Sequence, residues 1–466
     1  MTSHIRCISP VDGRVYVDRP TASEAEIKET LERARKAQKA WRHVPLSERA
    51  ALVVRVVDAL KGMGAEIAEE LAWQMGRPIR YGQGELRGVE ERARYMAEVA
   101  PTALAPVVPI DSRSGFERYV AREPVGLVFT IAPWNYPYLT TVNSVVPALI
   151  AGNAVLLKQA AQTLLVGDRF QKALDAVGLP KGLFTHIVLE HSQTEAIIAG
   201  GHVDHVAFTG SVEAGRAMER AAAGTFTTLG LELGGKDPAY VAPDANLKFA
   251  AENLVDGTFF NSGQCCCGIE RIYVHESRYD AFLKGFVDLT AQYVLGDPLD
   301  DATTLGPMAR ASLAEVVRAQ TREAIDKGAK PHLDPRVFAR DQPGSPYLAP
   351  QVLTNVDHTM TVMRDESFGP VIGIAKVRDE EEAIALMNDS PYGLTASVWT
   401  EDVEAAKRIG ESIETGTVYM NRCDYLDPGL AWTGVKETGY GASLSSLGYG
   451  PLTRPKSYHL RLTTSG

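Results

Sequence analysis

The chain of 466 residues is too long for one ordinary core, so two or three domains are expected. Its 45% apolar and 23% charged residues match a folded globular protein and exclude a disordered or fibrous one. A net charge of -10 gives no general attraction to nucleic acid or anionic lipid, both of which reward clustered Lys and Arg.

The opening stretch, MTSHIRCISPVDGRVY, lacks the apolar segment of a secretory signal, and a cytoplasmic location is the expectation. From Thr21 to Trp41 the residues are strong helix formers, with Ser23 three positions before Glu26 in the spacing of a capping box. A second helical pattern fills Leu46 to Met75, punctuated by Gly76 and Pro78. Pro124 to Leu157 contains no charge, yet Pro124, Pro133, Pro137 and Pro147 break it too often for a membrane-spanning helix. A buried α/β core is the reading. Short apolar runs then alternate with helical stretches, at 125–133, 154–159, 185–190, 205–210 and 238–243, which predicts a mostly parallel sheet. The alternation returns at 271–275, 371–377, 394–400 and 416–421, so a second α/β half follows. Segments 297–306 and 341–350, rich in Gly, Pro and Asp, read as surface loops.

Three of the five cysteines stand together in FNSGQCCCG, 260–268. Zinc ligands are usually spaced, and adjacent side chains converge poorly on one ion, so no metal is expected. Neighbouring Cα atoms lie about 3.8 Å apart, below the roughly 4.4 to 6.8 Å of a disulfide. Inert buried thiols or a nucleophile remain. Asn-Ser-Gly-Gln reads as a flexible polar lead-in presenting one thiol, with its neighbours facing elsewhere, as in extended backbone.

A thiolate attacking a carbonyl needs an oxyanion donor, and hydrolysis needs a base for water. LELGGKDP offers Glu232 before Gly234 and Gly235, where a ligand can approach the backbone closely. APWNYP offers Asn135 in a rigid turn between two prolines. FTGSVEAG places Gly210 and Ser211 where a helix begins, a place suited to phosphate, although it is neither a P-loop nor a G-x-G-x-x-G fingerprint.

Together with GNAVLLKQA, ESFGPV, NDSPYGLTASVWT, GTVYMN and TGVKETGYG, these motifs resemble the aldehyde dehydrogenase superfamily, of the NAD(P)-dependent non-acylating type, over nearly the whole chain. The resemblance implies an α/β fold: a Rossmann-like nucleotide-binding domain (1–110 and 125–234), an α/β catalytic domain (235–437) and a small β oligomerisation element (111–124 and 438–466) that makes a homodimer or homotetramer. It implies Cys266 as nucleophile, Asn135 as oxyanion donor and Glu232 as general base, with an aldehyde oxidised through a thiohemiacetal and a thioester. Lys158, Gly210, Ser211, Gly234, Glu366, Phe368, Ala132 and Trp134 match the cofactor site for NAD or NADP. Tyr136, Leu139, Asn143, Cys265, Cys267, Asp424, Tyr425 and Trp432 match the substrate tunnel, and Arg422 is a candidate partner for a substrate carboxylate.

Two departures from the family pattern stand out. Ala161 replaces a frequent glutamate near the adenosine ribose, which removes a repulsion against a 2′-phosphate and makes NADP acceptable. Ser443 replaces a second acid, leaving Glu232 to carry deacylation alone. A CoA-acylating enzyme and a non-catalytic binding protein are the alternatives. Glu232 argues against the first, and retention of Cys266, Glu232 and Asn135 together argues against the second.

Overall fold

A computed structural model describes residues 3–464. Ser23 caps the helix Glu24–Trp41 as its spacing predicts: its Oγ accepts from the Glu26 N–H, and its own N–H donates to Glu26 Oε2 at 2.8 Å. The next pattern divides into Leu46–Lys61 and Gly64–Met75, broken at Gly62 and Met63. Gly76 ends it with φ +83°, and a Cβ there would meet the Pro307 carbonyl oxygen at 2.4 Å. The long helix Ile79–Ala103 follows, burying Leu86, Val89, Ala93, Met96 and Ala100 at helical spacing against the first core.

The first sheet has six strands, five of them parallel in the spatial order Thr228–Glu232, His205–Thr209, Leu127–Ala132, Ala154–Gln159, Phe184–His186, with the antiparallel Gly439–Tyr440 at the Thr228–Glu232 edge. This is a doubly wound arrangement. Its order reverses between Leu127–Ala132 and His205–Thr209, and such sheets open a ligand crevice at the carboxyl ends beside that reversal. Leu127–Ala132 is buried throughout, which explains its unbroken apolar sequence. The strand expected over 185–190 is shorter, because the chain leaves the sheet edge to let Glu190 cap the helix His191–Ala199. The uncharged stretch is strand, helix Pro137–Ala151 and strand; among the described residues no helix is long and apolar enough to cross a membrane.

The second sheet has seven strands in the order Lys330–Pro331, Gln351–Thr354, Val371–Val377, Ile269–His275, Asp237–Val241, Thr395–Trp399, Thr417–Met420. All pair in parallel except the first. Separate apolar clusters cover its two faces. Glu232 is the last strand residue of one sheet and Asp237 the first of the other, so the Gly-Gly segment is the bridge between them.

Phe116–Pro124 and Thr453–Arg461 pair antiparallel in a largely exposed ribbon, both strands having been expected. The C-terminal segment is not all ribbon, however. Gly439–Tyr440 pairs with Leu231 and Glu232 at the edge of the first sheet, and Leu444, Tyr449 and Leu452 pack in the first core.

Candidate active site

The three-cysteine segment follows the helix Leu247–Phe259 and is built by unusual backbone. Asn261 and Ser262 have φ of +55° and +57°, a left-handed conformation that side chains seldom adopt, and it swings the chain across the bridge between the sheets. The lead-in is pinned rather than flexible, because its polar side chains are buried and bonded. Ser262 Oγ donates to the Gly306 carbonyl (2.8 Å), and Gln264 Nε2 donates to the Asn261 carbonyl (3.0 Å) while its Oε1 accepts from Ala309 N–H (2.8 Å). A Cβ on Gly235 would lie 2.4 Å from the Cys266 carbonyl oxygen, so the bridge glycine permits this approach.

Cys265 to Gly268 form a turn closed by Gly268 N–H to the Cys265 carbonyl (3.2 Å). Turn geometry corrects the expectation that the neighbours of Cys266 face elsewhere. The thiols of Cys265 and Cys267 lie 3.5 Å apart and both donate to Asp424 Oδ1, at 3.0 and 3.1 Å. These three groups fall within 4.8 Å of one another, so the spacing argument against convergence fails for the outer pair. The Cys265 and Cys267 thiols hold Cys266 below the ordinary thiol range, against burial and the Glu232 charge.

Asn135 leaves the strand Leu127–Ala132 in the turn to Pro137, and its Nδ2 donates to the Gln264 carbonyl at 3.2 Å, two residues before Cys266. Its backbone is held by groups that motif reading missed. Arg77 and Asn261 both donate to the Asn135 carbonyl, and Arg77 pairs with buried Glu85. Glu85 Oε1 in turn accepts the N–H groups of Tyr138 and Leu139, capping the helix Pro137–Ala151.

Glu232 accepts from Ser443 Oγ at 2.6 Å and from Thr209 Oγ1 at 3.2 Å. Ser443, where the family pattern has a second acid, therefore stands in contact with Glu232 as a hydroxyl donor. Burial raises the Glu232 carboxyl above its ordinary range, and the two hydroxyls and Arg92 oppose that rise.

The crevice at the sheet reversal carries the residues matched to a dinucleotide. Lys158 stands near the carboxyl end of its strand, half-buried, with no side-chain acceptor among the described residues; burial lowers its ammonium. Gly210 and Ser211 open the helix Val212–Ala222, where Ser211 Oγ caps the Ala214 N–H. Glu366 accepts from Gly235 N–H at 3.0 Å, and burial, then the Glu270 charge, raises it to about 7. A Cβ on Gly234 would lie 2.7 Å from Glu366 Oε2. Phe368, at φ +50°, meets Trp134 edge-on with ring centroids 5.5 Å apart, beyond Ala132 at the strand end. Beneath this loop, buried Lys236 donates to Glu270 (2.6 Å) and Ser367 (3.0 Å), and Glu270 accepts the N–H groups of Ser367 and Phe368, both at 2.8 Å. A lysine lacking a partner, a helix N-terminus and a bridge too close for any Cβ fit a phosphorylated nucleotide.

Cys266, Glu232 and Asn135 share one cavity of about 360 Å³ with Tyr136, Leu139, Asn143, Cys265, Cys267, Asp424, Tyr425 and Trp432. Arg422 does not line it. Its guanidinium lies outside, 3.6 Å over the Tyr425 ring. Arg87 and Arg92, from the helix Ile79–Ala103, line the cavity instead, Arg87 exposed and Arg92 buried.

A doubly wound sheet with this crevice, and a cavity that holds a thiol, a carboxylate and an amide, fits a nucleotide-dependent oxidoreductase. More closely, the chain belongs to the aldehyde dehydrogenase family, whose model matches residues 1–457. It is 34% identical over 454 residues to a succinate-semialdehyde dehydrogenase [NADP(+)] of Deinococcus radiodurans, covering 96% of this chain and 93% of that protein. A succinate semialdehyde dehydrogenase [NAD(P)+] of Escherichia coli is 31% identical, with 96% of each chain covered. The crystal structure of succinic semialdehyde dehydrogenase from Streptococcus pyogenes with NADP+ superposes with a TM-score of 0.91 at 28% identity, covering 98% of this chain and 100% of that one. The protein oxidises an aldehyde to a carboxylic acid with NAD(P)+.

Proposed function

We propose that Cys266 is the nucleophile of this oxidation, Asn135 and the Cys266 backbone N–H its oxyanion donors, and Glu232 the base that hydrolyses the thioester. The observation that carries this is their meeting in one cavity. Cys266 thiolate adds to the carbonyl carbon. The developing oxyanion replaces the Gln264 carbonyl as the acceptor facing Asn135 Nδ2, which Arg77, Asn261 and Glu85 hold in place. Bound NAD(P)+ supplies the hydride acceptor that turns the Cys266 thiohemiacetal into a thioester. Glu232 then takes a proton from water, the water oxygen bonds to the acyl carbon, and the C–S bond breaks to release the acid and restore the thiolate. Buried Glu232 is a stronger base than an exposed carboxylate, and its Ser443 and Thr209 hydrogen bonds orient it.

Lys158, Gly210, Ser211 and Glu366 would hold the nucleotide, with Phe368 and Trp134 beside its nicotinamide. Ala161 opens the short turn after Gln159 and presents no carboxylate toward a 2′-phosphate, so NADP is accepted at least as well as NAD. The names of the two relatives support this and bring short semialdehydes forward as substrates. The protein acts in the cytoplasm as a homodimer or homotetramer joined through the ribbon. Initial rates over an aldehyde panel with both nucleotides test the reading: kcat/KM for NADP equal to or above that for NAD is expected, with no acyl-CoA on adding CoA. A kcat/KM for NAD far above that for NADP contradicts the cofactor assignment.

A further inference from the structure

The cavity contains a cation with no part in the chemistry above. Arg92 projects from the helix Ile79–Ala103 and is only 7% exposed. Its Nη1 donates to the Leu139 carbonyl (3.1 Å) and to Asn143 Oδ1 (3.2 Å). Its Nε and Nη2 have no acceptor among the described residues, and it joins no ion pair there. An unpaired guanidinium in a buried wall is unusual, since buried charges are normally paired.

The acids that share the cavity are all engaged elsewhere. Glu232 accepts from Ser443 and Thr209, Asp424 from the two outer thiols, and Glu91 from the Tyr425 hydroxyl at 2.7 Å. Asn143 adds a second donor: Arg92 occupies its Oδ1, and its buried Nδ2 has no partner among the described residues. A buried amide donor left unsatisfied calls for an acceptor that the protein does not supply.

We propose that Arg92 and Asn143 form a carboxylate-binding subsite, and that the aldehyde oxidised here is a short ω-carboxylated semialdehyde, held by that subsite while its carbonyl lies at Cys266. The inference rests on the proposed function. An acceptor-only planar anion suits a guanidinium edge beside an amide N–H. Arg92, Asn143 and Cys266 line the same cavity of about 360 Å³, so the carbon chain between carboxylate and aldehyde is short. A phosphorylated aldehyde would want a second buried cation, and Arg87 is exposed.

Steady-state kinetics with succinic semialdehyde and butanal, two four-carbon aldehydes that differ at the far end, test this. The wild type is expected to prefer the semialdehyde by kcat/KM, and Arg92→Gln to lower that preference by about tenfold or more, chiefly through KM, with partial recovery in Arg92→Lys. Equal losses on both aldehydes in Arg92→Gln, or no preference in the wild type, would overturn the subsite. Should Arg92→Gln not fold, succinate against butanal with the wild type decides: competitive inhibition is expected, absent for butyramide, and inhibition equal for both overturns the proposal. If the wild type oxidises neither aldehyde nor any other, the proposed function fails, which is distinguishable from loss of preference alone.

Discussion

At the residue scale, three adjacent and chemically identical side chains have different environments. Cys265 and Cys267 donate to Asp424 and are raised above the ordinary thiol range, the first to about 12, while Cys266 is lowered. Cys266→Ser is therefore expected to abolish NAD(P)H formation in a stopped-flow assay. Cys265→Ser and Cys267→Ser should keep a burst of NAD(P)H and change its dependence on the aldehyde used, and loss of the burst in either would move the nucleophile. Cys266 could be singled out in the sequence because its motif is local and ordered among many others, and the structure brings it into one cavity with Glu232 and Asn135. The convergence of its neighbours on Asp424 was not legible, since it depends on a turn and on a residue more than 150 positions away. Arg92 was hidden for another reason: it is one basic residue among several in a helix, and only packing shows which one is buried.

At the scale of elements, the site is assembled by connections rather than by strands and helices themselves. The bridge between the sheets meets the turn at Cys266 and the loop around Glu366 at Gly235 and Gly234, where a Cβ would lie 2.4 Å from the Cys266 carbonyl oxygen and 2.7 Å from Glu366 Oε2. The buried Lys236–Glu270 pair sets the loop around Glu366. Lys236→Met leaves Glu270 charged and unpaired, at a cost of about 3–5 kcal/mol. The expected result is a lower thermal midpoint and a KM for the nucleotide that rises more than the KM for the aldehyde. An unchanged midpoint would show that the pair does not hold the loop. Helix and strand positions were largely readable from periodicity, as at Ala154–Gln159 and Val371–Val377. Periodicity gives no information on which connection touches which.

At the scale of the molecule, the two sheets enclose the site from opposite sides and the ribbon stands apart from both. Tyr119 and Tyr458 stack across the ribbon with centroids 4.6 Å apart, and Leu460 is exposed beside them. Light scattering is expected to give two or four times the monomer mass, and Tyr458→Asp with Leu460→Asp to lower it; an unaltered mass in that variant would place the interface elsewhere. The partition of the C-terminal segment between ribbon and first sheet was not legible, because the short pairing of Gly439–Tyr440 has no strand-like sequence. The proposed mechanism ends in release of the acyl group from Cys266 by water that Glu232 activates. Since burial raises the Glu232 carboxyl, that release is expected to slow as pH falls through its raised pKa. The most direct test is rapid mixing of Glu232→Gln with aldehyde and NADP+, followed by intact-mass and peptide analysis. One equivalent of NADPH, no further turnover and an acyl adduct on Cys266 are predicted, whereas sustained turnover, or an adduct on another residue, would contradict the account.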